Sequence, residues 1–439
     1  MTHRDAQKKI VLATFGTHGD LHPFLALALA LRERGIAPTI AAAGIYRGKV
    51  TAEGIAFRQM RPELDAVGAR LGMEQRQLAR AAAERPEFIV RDIVLPHLRE
   101  AYDDVMAATE DADMVITHSA AYGAKIAAER RGLPHLGIAL QPMMLLSAYD
   151  PPILAPLPRL SRVIRRLGPR WARGFFALGK ASSRRWAKPI DALRQELGLP
   201  RLRSNPFFEG QFTPAGAIAM FSPLLGAPQP DHPPRTAIVG FAFYDSDAGG
   251  PAVLDEVLLR FVTSGSPPLV FTQGTSAVHD ADNFIRESLA AVKLLGRRAV
   301  LVLDAQRAAQ WASHASSSVF ITGYAPYSAL FPRALVNVHH GGVGTVAQAL
   351  RAGRPQLIAP YLVDQPDNAA RVARLGNGRA LSLKHYRADR VAQELRTLSD
   401  DPRYAARARV VGEQIAAEDG AAAAADIIIA TLRRAHCRS

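Results

Sequence analysis

The stretch ALVNVHHGGVGTVAQALRAG, residues 334–353, carries the most informative pattern in this chain. Its apolar start, 334–338, predicts a buried strand, and the run from about Gly344 predicts a helix that stops at Gly353. The glycines between them let the backbone turn tightly and approach a ligand. Because the first amides of a helix lack internal partners and its dipole favours an anion, we interpret the turn as a phosphate-binding loop.

Two histidines, His339 and His340, stand at the start of this loop. Either ring can donate to a phosphate oxygen, and a charged ring forms the stronger bond. A zinc pair is disfavoured, because neighbouring strand residues point to opposite faces and no cysteine lies nearby. A structural role for one of the two rings is the remaining alternative.

A second predicted strand, 355–361, ends in the sequence LVDQPDN. It places Asp364 and Gln365 at the mouth of the same crevice. A carboxylate accepts hydrogen bonds and an amide both donates and accepts, so the pair suits sugar hydroxyls. By itself this dipeptide is a turn before proline, but behind a phosphate-binding loop it predicts a sugar attached to a diphosphate.

Strand, glycine turn and helix recur along the rest of the chain. Strands are predicted at 10–15, 37–43, 114–117, 136–139, 268–271 and 299–303, and helices at 21–34, 120–131 and 283–295. The tetrads TFGT and TQGT, at 14–17 and 272–275, follow the first strand of each half. We therefore expect an α/β chain of two Rossmann-like, doubly wound domains with mainly parallel sheets.

The composition predicts where the domains divide. The proline-rich PLLGAPQPDHPP, 223–234, suits no regular element, and SDAGGP follows at 246–251. We expect an N-terminal domain over 1–222, a linker over 223–251, a C-terminal domain over 252–420, and a terminal helix over 421–439 that packs back on the N-terminal domain.

Length and composition limit the class of protein. The chain has 439 residues, of which 48% are hydrophobic, enough for two buried cores. A single cysteine excludes a disulfide within the chain. No apolar run reaches the roughly 18 residues of a membrane span, so we expect a cytoplasmic protein. The net charge of +14 is compatible with nucleic acid, acidic headgroups or an anionic substrate.

Positive charge is concentrated in residues 151–189, a segment with ten Lys or Arg, no acidic residue and four aromatic side chains. A basic helix with aromatics is typical of contact with an anionic membrane surface or a polyanion. A solvated lid helix on the acceptor side explains the same composition. We expect contact with the inner membrane as one use of this segment, and no nucleic-acid partner, because only the charge suggests one.

The run from Tyr324-Ala325-Pro326 through HHGGVGT to DQPDNAARV resembles the nucleotide-sugar signature of the family 1 glycosyltransferases, which have the two-domain GT-B fold. FGTHGDLHP, 15–23, resembles the glycine loop of the acceptor domain, and PLVFTQGTS, 268–276, resembles the start of the donor domain. The motifs GDLHPF, LVFTQGT and VGFAFYD are most similar to bacterial sterol-glycosyltransferase-like enzymes and to the rhamnosyltransferase of rhamnolipid synthesis.

The resemblance implies a role for each residue of the donor site. The diphosphate is assigned to Thr275, His339, Gly341, Gly342, Val343, Gly344 and Thr345, the nucleobase to Tyr324 and Ala325, and the sugar to Asp364 and Gln365. Many members have Trp in place of Tyr324 and Gln in place of Tyr327. Both differences lie on the base-binding side, so UDP and dTDP donors both remain candidates.

The resemblance also implies a catalytic base. Plant members have a histidine in the N-terminal loop, and the aligned residue here is Asp20, which would take the proton from an acceptor hydroxyl. A helix N-cap before Pro23 is the alternative interpretation of this carboxylate. The candidate acceptor-site residues are His18, His22, His118 and Met143, of which His118 aligns with the aspartate that plant members pair with their histidine.

We therefore expect an inverting transferase that moves a hexosyl group to a lipophilic hydroxyl acceptor, such as a hydroxy fatty acid derivative, a sterol or an aromatic natural product. Three Asp-x-Asp triplets, at 111–113, 245–247 and 280–282, are interpreted as turns, so neither a metal nor another cofactor is expected. A nucleotide-sugar epimerase or hydrolase of the same fold, or a donor-binding partner protein without activity, are the alternatives.

Overall fold

The computed structural model describes residues 7–85, 87–213, 215–247, 249–272 and 281–436. The first domain is built on strands β1 (Lys9–Ala13), β2 (Ala37–Ala42), β3 (Ala56–Gln59), β4 (Met114–His118), β5 (His135–Ala139), β6 (Ala217–Ala219) and β7 (Thr236–Ile238). Its helices are α1 (His18–Glu33), α2 (Arg47–Ala52), α3 (Leu64–Leu71), α4 (Gln75–Glu84), α5 (Leu98–Ala108), α6 (Tyr122–Arg131), α7 (Pro158–Leu167), α8 (Pro169–Ser183) and α9 (Lys188–Glu196).

A short antiparallel hairpin, β8 (Ser246–Asp247) and β9 (Gly250–Pro251), precedes the second domain. The strands of that domain are β10 (Leu269–Thr272), β11 (Ala299–Val302), β12 (Val319–Thr322), β13 (Val336–His339), β14 (Gln356–Ile358) and β15 (Gly378–Ala380). Its helices are α10 (Glu256–Thr263), α11 (Ala281–Leu295), α12 (Ala305–Trp311), α13 (Tyr327–Leu330), α14 (Val343–Arg351), α15 (Gln365–Leu375), α16 (Ala388–Asp400) and α17 (Pro402–Ala416), and the chain continues into α18 (Gly420–His436).

Both large sheets are parallel and share one strand order. The first runs β3-β2-β1-β4-β5-β6-β7 and the second β12-β11-β10-β13-β14-β15, so each reverses direction beside its first strand. Successive residues of β1 alternate between two cores, with Ile10 and Leu12 in one and Val11 and Ala13 in the other. A sheet buried on both faces is the doubly wound arrangement, and the predicted fold class is confirmed.

The region expected to be a linker, 223–251, is more ordered than its proline content suggests. Residues Thr236–Ile238 form β7, the edge strand of the first sheet, paired in parallel with β6. The sheet of the first domain therefore extends into the region expected to be the linker, beyond the proline-rich stretch 223–234. Proline is tolerated beside an edge strand, because such a strand makes hydrogen bonds on one side only.

The last helix of the chain packs on the first domain. Ala424, Ala425 and Ile428 of α18 belong to the same buried cluster as Leu25 of α1. The Nε of Arg34 also lies 2.7 Å from a carboxylate oxygen of Asp426. The chain therefore crosses between the domains a second time after α17.

A buried ion-pair network joins the domains on one side of the cleft. Arg371 of α15 is almost fully buried, and its Nε donates to Asp367 at 2.7 Å. Its guanidinium also pairs with Asp150 of the first domain and donates to the carbonyl of Leu225 at 3.1 Å. Asp367 accepts in turn from the amide of Ile153 at 3.0 Å. These bonds fix the two domains relative to each other at this edge.

None of the described helices combines the length with the apolar character that crossing a lipid bilayer would require.

Candidate active site

The site is formed where the two sheets reverse direction. In the first domain this point lies between β1 and β4, and in the second between β10 and β13. Ligands of doubly wound sheets bind outside the carboxyl ends of the strands at such points. Helices α1 and α14 start there, and a Cβ placed on Gly344 would lie 3.9 Å from the Cα of Gly19. The N-termini of the two helices therefore face each other across the cleft.

Asp20 lies in the first turn of α1, and the structure gives it a different capping role from the one considered above. The helix starts at His18, and Thr17 is its N-cap. Asp20 completes a capping box, in which its Oδ2 accepts from the Thr17 amide at 2.7 Å and from the Thr17 hydroxyl at 3.2 Å. The carboxylate is held at a helix N-terminus, and its other oxygen is left for a different partner.

That partner is His118, at the end of β4. The Nε2 of this buried histidine lies 3.5 Å from Oδ1 of Asp20. Its Nδ1 accepts from the amide of Ala120 at 3.2 Å, so the ring proton sits on Nε2, facing the carboxylate. The structure therefore brings Asp20 together with the residue that aligns with the aspartate paired with the plant histidine, and which the sequence analysis placed only in the acceptor site.

The other histidines of the glycine loop form an aromatic group beside Asp20. The ring of His18 lies 5.6 Å from that of His22 and 5.2 Å from that of Tyr46, and His22 lies 5.0 Å from Tyr244. Burial, followed by the charge of Lys49, lowers the pKa of both histidines, that of His22 to about 3. Both rings are therefore neutral near pH 7.

Met143, the fourth candidate acceptor residue, lies in a 3-10 turn directly after β5. The turn spans Pro142–Leu145 and leaves Met143 half-buried. Because β5 neighbours β4, the turn lies at the same edge of the sheet as His118. The position is compatible with an apolar acceptor.

The predicted phosphate-binding loop is held open by its glycines. Gly341 has φ of +93°, and a Cβ on it would lie 2.7 Å from a methyl carbon of Ile358. Gly342 is the N-cap of α14, which starts at Val343. Gly344 is exposed and Thr345 half-buried, so the first turn of the helix presents backbone amides to the cleft.

Both histidines of the loop are buried, and the ring of His339 points into the protein. His339 is fully buried, its Nδ1 accepts from the amide of Gly341 at 3.1 Å, and its Nε2 lies 3.0 Å from Oε1 of Gln356. Burial lowers the pKa of His339 to about 4 and that of His340 to about 3. The expected phosphate contact through the ring of His339 does not agree with this position, since both nitrogens are used inside the protein.

Asp364 lies directly against the start of α14. Its Oδ2 accepts from the amide of Val343 at 3.3 Å and from the side chain of Asn368 at 2.7 Å. Burial, together with the nearby charge of Asp20, raises the pKa of Asp364 to about 7. The carboxylate expected at the sugar thus occupies part of the anion site in this structure.

Gln365 is buried, and its Oε1 accepts from the amides of Tyr361 and Leu362 at 2.8 and 3.0 Å. Only its NH2 group is then left for a sugar.

Asn368 is a site residue that the sequence did not single out. Its Nδ2 donates both to Asp364 and to the carbonyl of Gly341 at 3.0 Å, so one amide links the loop to the next helix. The signal was present in DQPDN, since residues 364 and 368 are one helical turn apart and face the same side.

The residues assigned to the nucleobase lie at the end of β12. Tyr324 is 61% exposed, whereas Ala325 is buried. The hydroxyl of Tyr327 lies 2.5 Å from that of Thr272, and its ring stacks on Phe331. Tyr327 is therefore part of the core, and Tyr324 is the ring that faces solvent. The predicted contact of Thr275 lies outside the described residues.

The described residues contain no group of side chains suited to hold a metal ion. Among them, no three His, Cys, Asp or Glu side chains are arranged as ligands. Within two of the Asp-x-Asp triplets, Asp111 pairs with Lys9, and Asp245 pairs with Arg351 at 2.6 Å.

Comparison with known proteins identifies related domains in both halves. The N-terminal domain of glycosyltransferase family 28 matches residues 10–149, and the C-terminal domain of erythromycin biosynthesis protein CIII-like proteins matches residues 286–431. O-mycaminosyltylonolide 6-deoxyallosyltransferase of Streptomyces fradiae is 28% identical over 426 residues, 94% of each chain. The solved structure of the glycosyltransferase VinC in complex with dTDP covers 97% of this chain and 100% of its own, with a TM-score of 0.67 at 20% identity.

A further relative is an uncharacterized glycosyltransferase, ML2348, of Mycobacterium leprae (strain TN), which is 30% identical over 435 residues, 96% of each chain. Similarity at this level from end to end, in a molecule of two doubly wound domains, assigns the chain to the family 1 glycosyltransferases with the GT-B fold.

Proposed function

We propose that this glycosyltransferase moves a hexosyl group, with inversion, from a UDP- or dTDP-sugar to a hydroxyl of a lipophilic acceptor. The observation that carries the proposal is the pair of facing helix N-termini, with Asp20 on one side of the cleft and the loop Gly341–Thr345 on the other. One side has a positioned base, and the other has amides suited to a leaving diphosphate.

The donor site would act mainly through its backbone. The amides of Gly344 and Thr345, at the positive end of α14, would take up the charge of the diphosphate as the sugar leaves. Tyr324 would stack on the base. The related VinC was solved with dTDP, which supports a pyrimidine nucleotide. We propose that this charge stabilisation needs neither a metal nor another cofactor.

The base would act through a carboxylate that is hydrogen-bonded at one oxygen and faces a histidine with the other. Thr17 fixes one oxygen of Asp20, and the Nε2–H of His118 faces the other. Asp20 takes the proton of the acceptor hydroxyl while the oxygen of that hydroxyl forms a bond to the anomeric carbon. The bond from that carbon to the diphosphate breaks on the opposite face, which inverts its configuration. His118 is a positioning residue in this scheme.

Asp364 would change partner when donor binds. In this structure its carboxylate accepts from the first amide of α14, where a phosphate oxygen would otherwise lie. Moving toward the sugar hydroxyls would free that amide for the diphosphate. Asn368 would keep the loop in place during the exchange, because it also holds the carbonyl of Gly341.

The acceptor would lie against the first domain, between Asp20 and the turn that contains Met143. The half-buried Met143 and the neutral rings of His18 and His22 offer a site with little charge. The Streptomyces fradiae relative is, by its name, a transferase that acts on O-mycaminosyltylonolide, which supports an acceptor from the natural products. Sterols, hydroxy fatty acid derivatives and aromatic natural products are the classes to test.

The test incubates the purified protein with UDP-glucose, dTDP-glucose or dTDP-rhamnose and one acceptor of each class, and follows products by mass spectrometry. We expect a glycosylated acceptor and released nucleoside diphosphate. Release of free sugar without transfer would indicate a hydrolase, and an isomerised donor would indicate an epimerase. Thermal stabilisation by donor with no reaction of any acceptor would favour a donor-binding partner protein.

A further inference from the structure

The basic segment 151–189 folds into a helical pair on the first domain. Helices α7 and α8 pack against each other over a small apolar cluster that includes Ile164, Ala172 and Phe176. This cluster is separate from the two cores of the sheet. The pair therefore stands as a distinct layer, and its outer surface is free to contact something else.

Both helices of the pair expose large apolar side chains. On α7, Leu160, Val163 and Leu167 follow one another at helical spacing, and all three are exposed. On α8, Trp171 and Leu178 are seven residues apart and are 62% and 72% exposed. Large apolar side chains gathered on one surface mark a contact site more often than scattered ones do.

Unpaired positive charge runs along the same two helices. Arg165, Lys180 and Arg184 pair with carboxylates. A second set of arginines is exposed, and the described part of the chain provides no carboxylate partner for its members: Arg159, Arg162, Arg166 and Arg170. Arg159, Arg162 and Arg166 follow one another at spacings of three and four residues on α7, the helix that carries Leu160, Val163 and Leu167, and Arg170 lies in the first turn of α8. The surface thus combines apolar side chains with guanidinium groups that have no internal counter-charge.

We propose that the α7–α8 pair docks on a membrane surface that contains anionic phospholipids, such as the cytoplasmic leaflet. Helices at such a surface bury apolar side chains at the headgroup boundary and place arginines against the phosphates. Tryptophan at the edge of the patch, as at Trp171, is typical of this boundary. Residues 151–189 contain no acidic side chain, so an extended anionic surface would meet no like charge anywhere along the segment.

The position of the α7–α8 pair beside the cleft would bring the active site close to the membrane. Asp150 and Ile153, just before α7, contact α15 of the second domain, so the surface lies beside the cleft between the domains. A lipophilic acceptor dissolved in the bilayer would then be close to the site. The docking surface itself does not depend on the identity of donor or acceptor, so its test is independent of the proposed transfer.

The first experiment is co-sedimentation of the whole protein, without nucleotide sugar, with vesicles of phosphatidylglycerol and phosphatidylcholine, and with pure phosphatidylcholine vesicles. We expect binding to the mixed vesicles that weakens with salt. The variant R159Q/R162Q/R166Q/R170Q should bind at least about tenfold more weakly. The control R387Q/R390Q/R396Q/R433Q removes the same charge from exposed positions elsewhere and should bind like the wild type. Equal binding to both kinds of vesicle, or equal loss in both variants, would overturn the proposal.

The second experiment tests directly whether the apolar side chains of the pair contact the membrane. The chain has three tryptophans, and the variant W186F/W311F leaves Trp171 as the only one. Its emission should shift to shorter wavelength when mixed vesicles are added. Should that variant fold poorly, Trp171→Phe in the wild-type background should remove the vesicle-dependent shift. An unchanged emission in the first variant, or a shift that persists in the second, contradicts docking through this face.

Discussion

In the proposed mechanism, the two points where the sheets reverse direction have different tasks, and one uses a side chain whereas the other uses the backbone. At the first, the side chain of Asp20 projects into the cleft and is oriented by Thr17 and His118. At the second, the first backbone amides of α14 face the cleft, and two inward-facing side chains hold the loop before it. His339 accepts from the amide of Gly341, and Asn368 donates to the carbonyl of Gly341. A proton acceptor requires an ionisable group, whereas a diphosphate is bound well by a helix N-terminus.

We expect the largest effect from replacing Asp20, the proposed base at the first point. We expect Asp20→Asn to lower kcat by about 100- to 10,000-fold, because the amide cannot accept the proton, while donor affinity is unchanged. Steady-state kinetics and donor titration by calorimetry measure the two quantities. Asp389→Asn, in the first turn of α16, is the control for losing a carboxylate at a helix start. A parallel loss of donor binding would contradict a purely catalytic role.

We expect the second-largest effect from distorting the backbone of the loop that precedes α14 at the second point. Gly341→Ala places a Cβ against Ile358 at a residue with φ of +93°. We expect it to destabilise the protein by about 1–3 kcal/mol and to weaken donor binding. Urea unfolding and donor titration test this. Gly48→Ala, on α2 with nothing within 4 Å of the new Cβ, should not lower stability, because alanine favours a helix more than glycine does, and should leave donor affinity unchanged. Normal donor affinity in Gly341→Ala would show that the loop geometry is dispensable.

Removing His118, which faces Asp20, should lower activity less than replacing Asp20, the proposed base. His118→Ala leaves Oδ1 of Asp20 without the facing Nε2, and we expect kcat to fall about tenfold with little change in donor affinity. His118→Gln, which keeps an N–H donor, should restore part of the rate. The profile of kcat against pH should shift in His118→Ala, and an unchanged profile would argue that the histidine merely fills space.

The smallest effect concerns Asp364 at the second point, because the charge of Asp20 at the first point contributes to its raised pKa. Burial and the charge of Asp20 raise the pKa of Asp364 to about 7, above the value of about 4 in an unfolded chain. The folded protein then binds this proton more tightly, so the contribution to stability is full below about pH 4 and is lost as the pH rises toward 7. We expect Asp364→Asn to remove this decline.

Urea unfolding of the wild type and of Asp364→Asn at a series of pH values isolates this contribution, because the other titrating groups cancel in the difference. A second variant, Asp20→Asn, should reduce the slope partly, since it removes the charge that contributes to the raised pKa. A difference that does not vary with pH would contradict the coupling.

The sequence predicted the two domains and the region of the site, because strand runs, glycine turns and helix stops are local signals. It did not predict β7, since three residues after a proline-rich stretch carry no periodic pattern. The capping box was readable in Thr17-x-x-Asp20, which is a known signature of a helix start.

Other features depend on contacts that no local pattern reports. The inward ring of His339 depends on Gln356, seventeen residues away on the neighbouring strand. The approach of His118 to Asp20 depends on β4 lying beside β1, which only the order of the strands in the sheet reveals.

The packing of α18 on α1 has a consequence for biosynthesis. Ala424, Ala425 and Ile428 supply part of the buried cluster around Leu25, yet they are synthesised after the whole of the second domain. When the residues of the first domain have been synthesised, the part of its buried cluster that α18 supplies is still missing. The second domain is made in between, so the first domain can reach its final packing only after α18 has been synthesised.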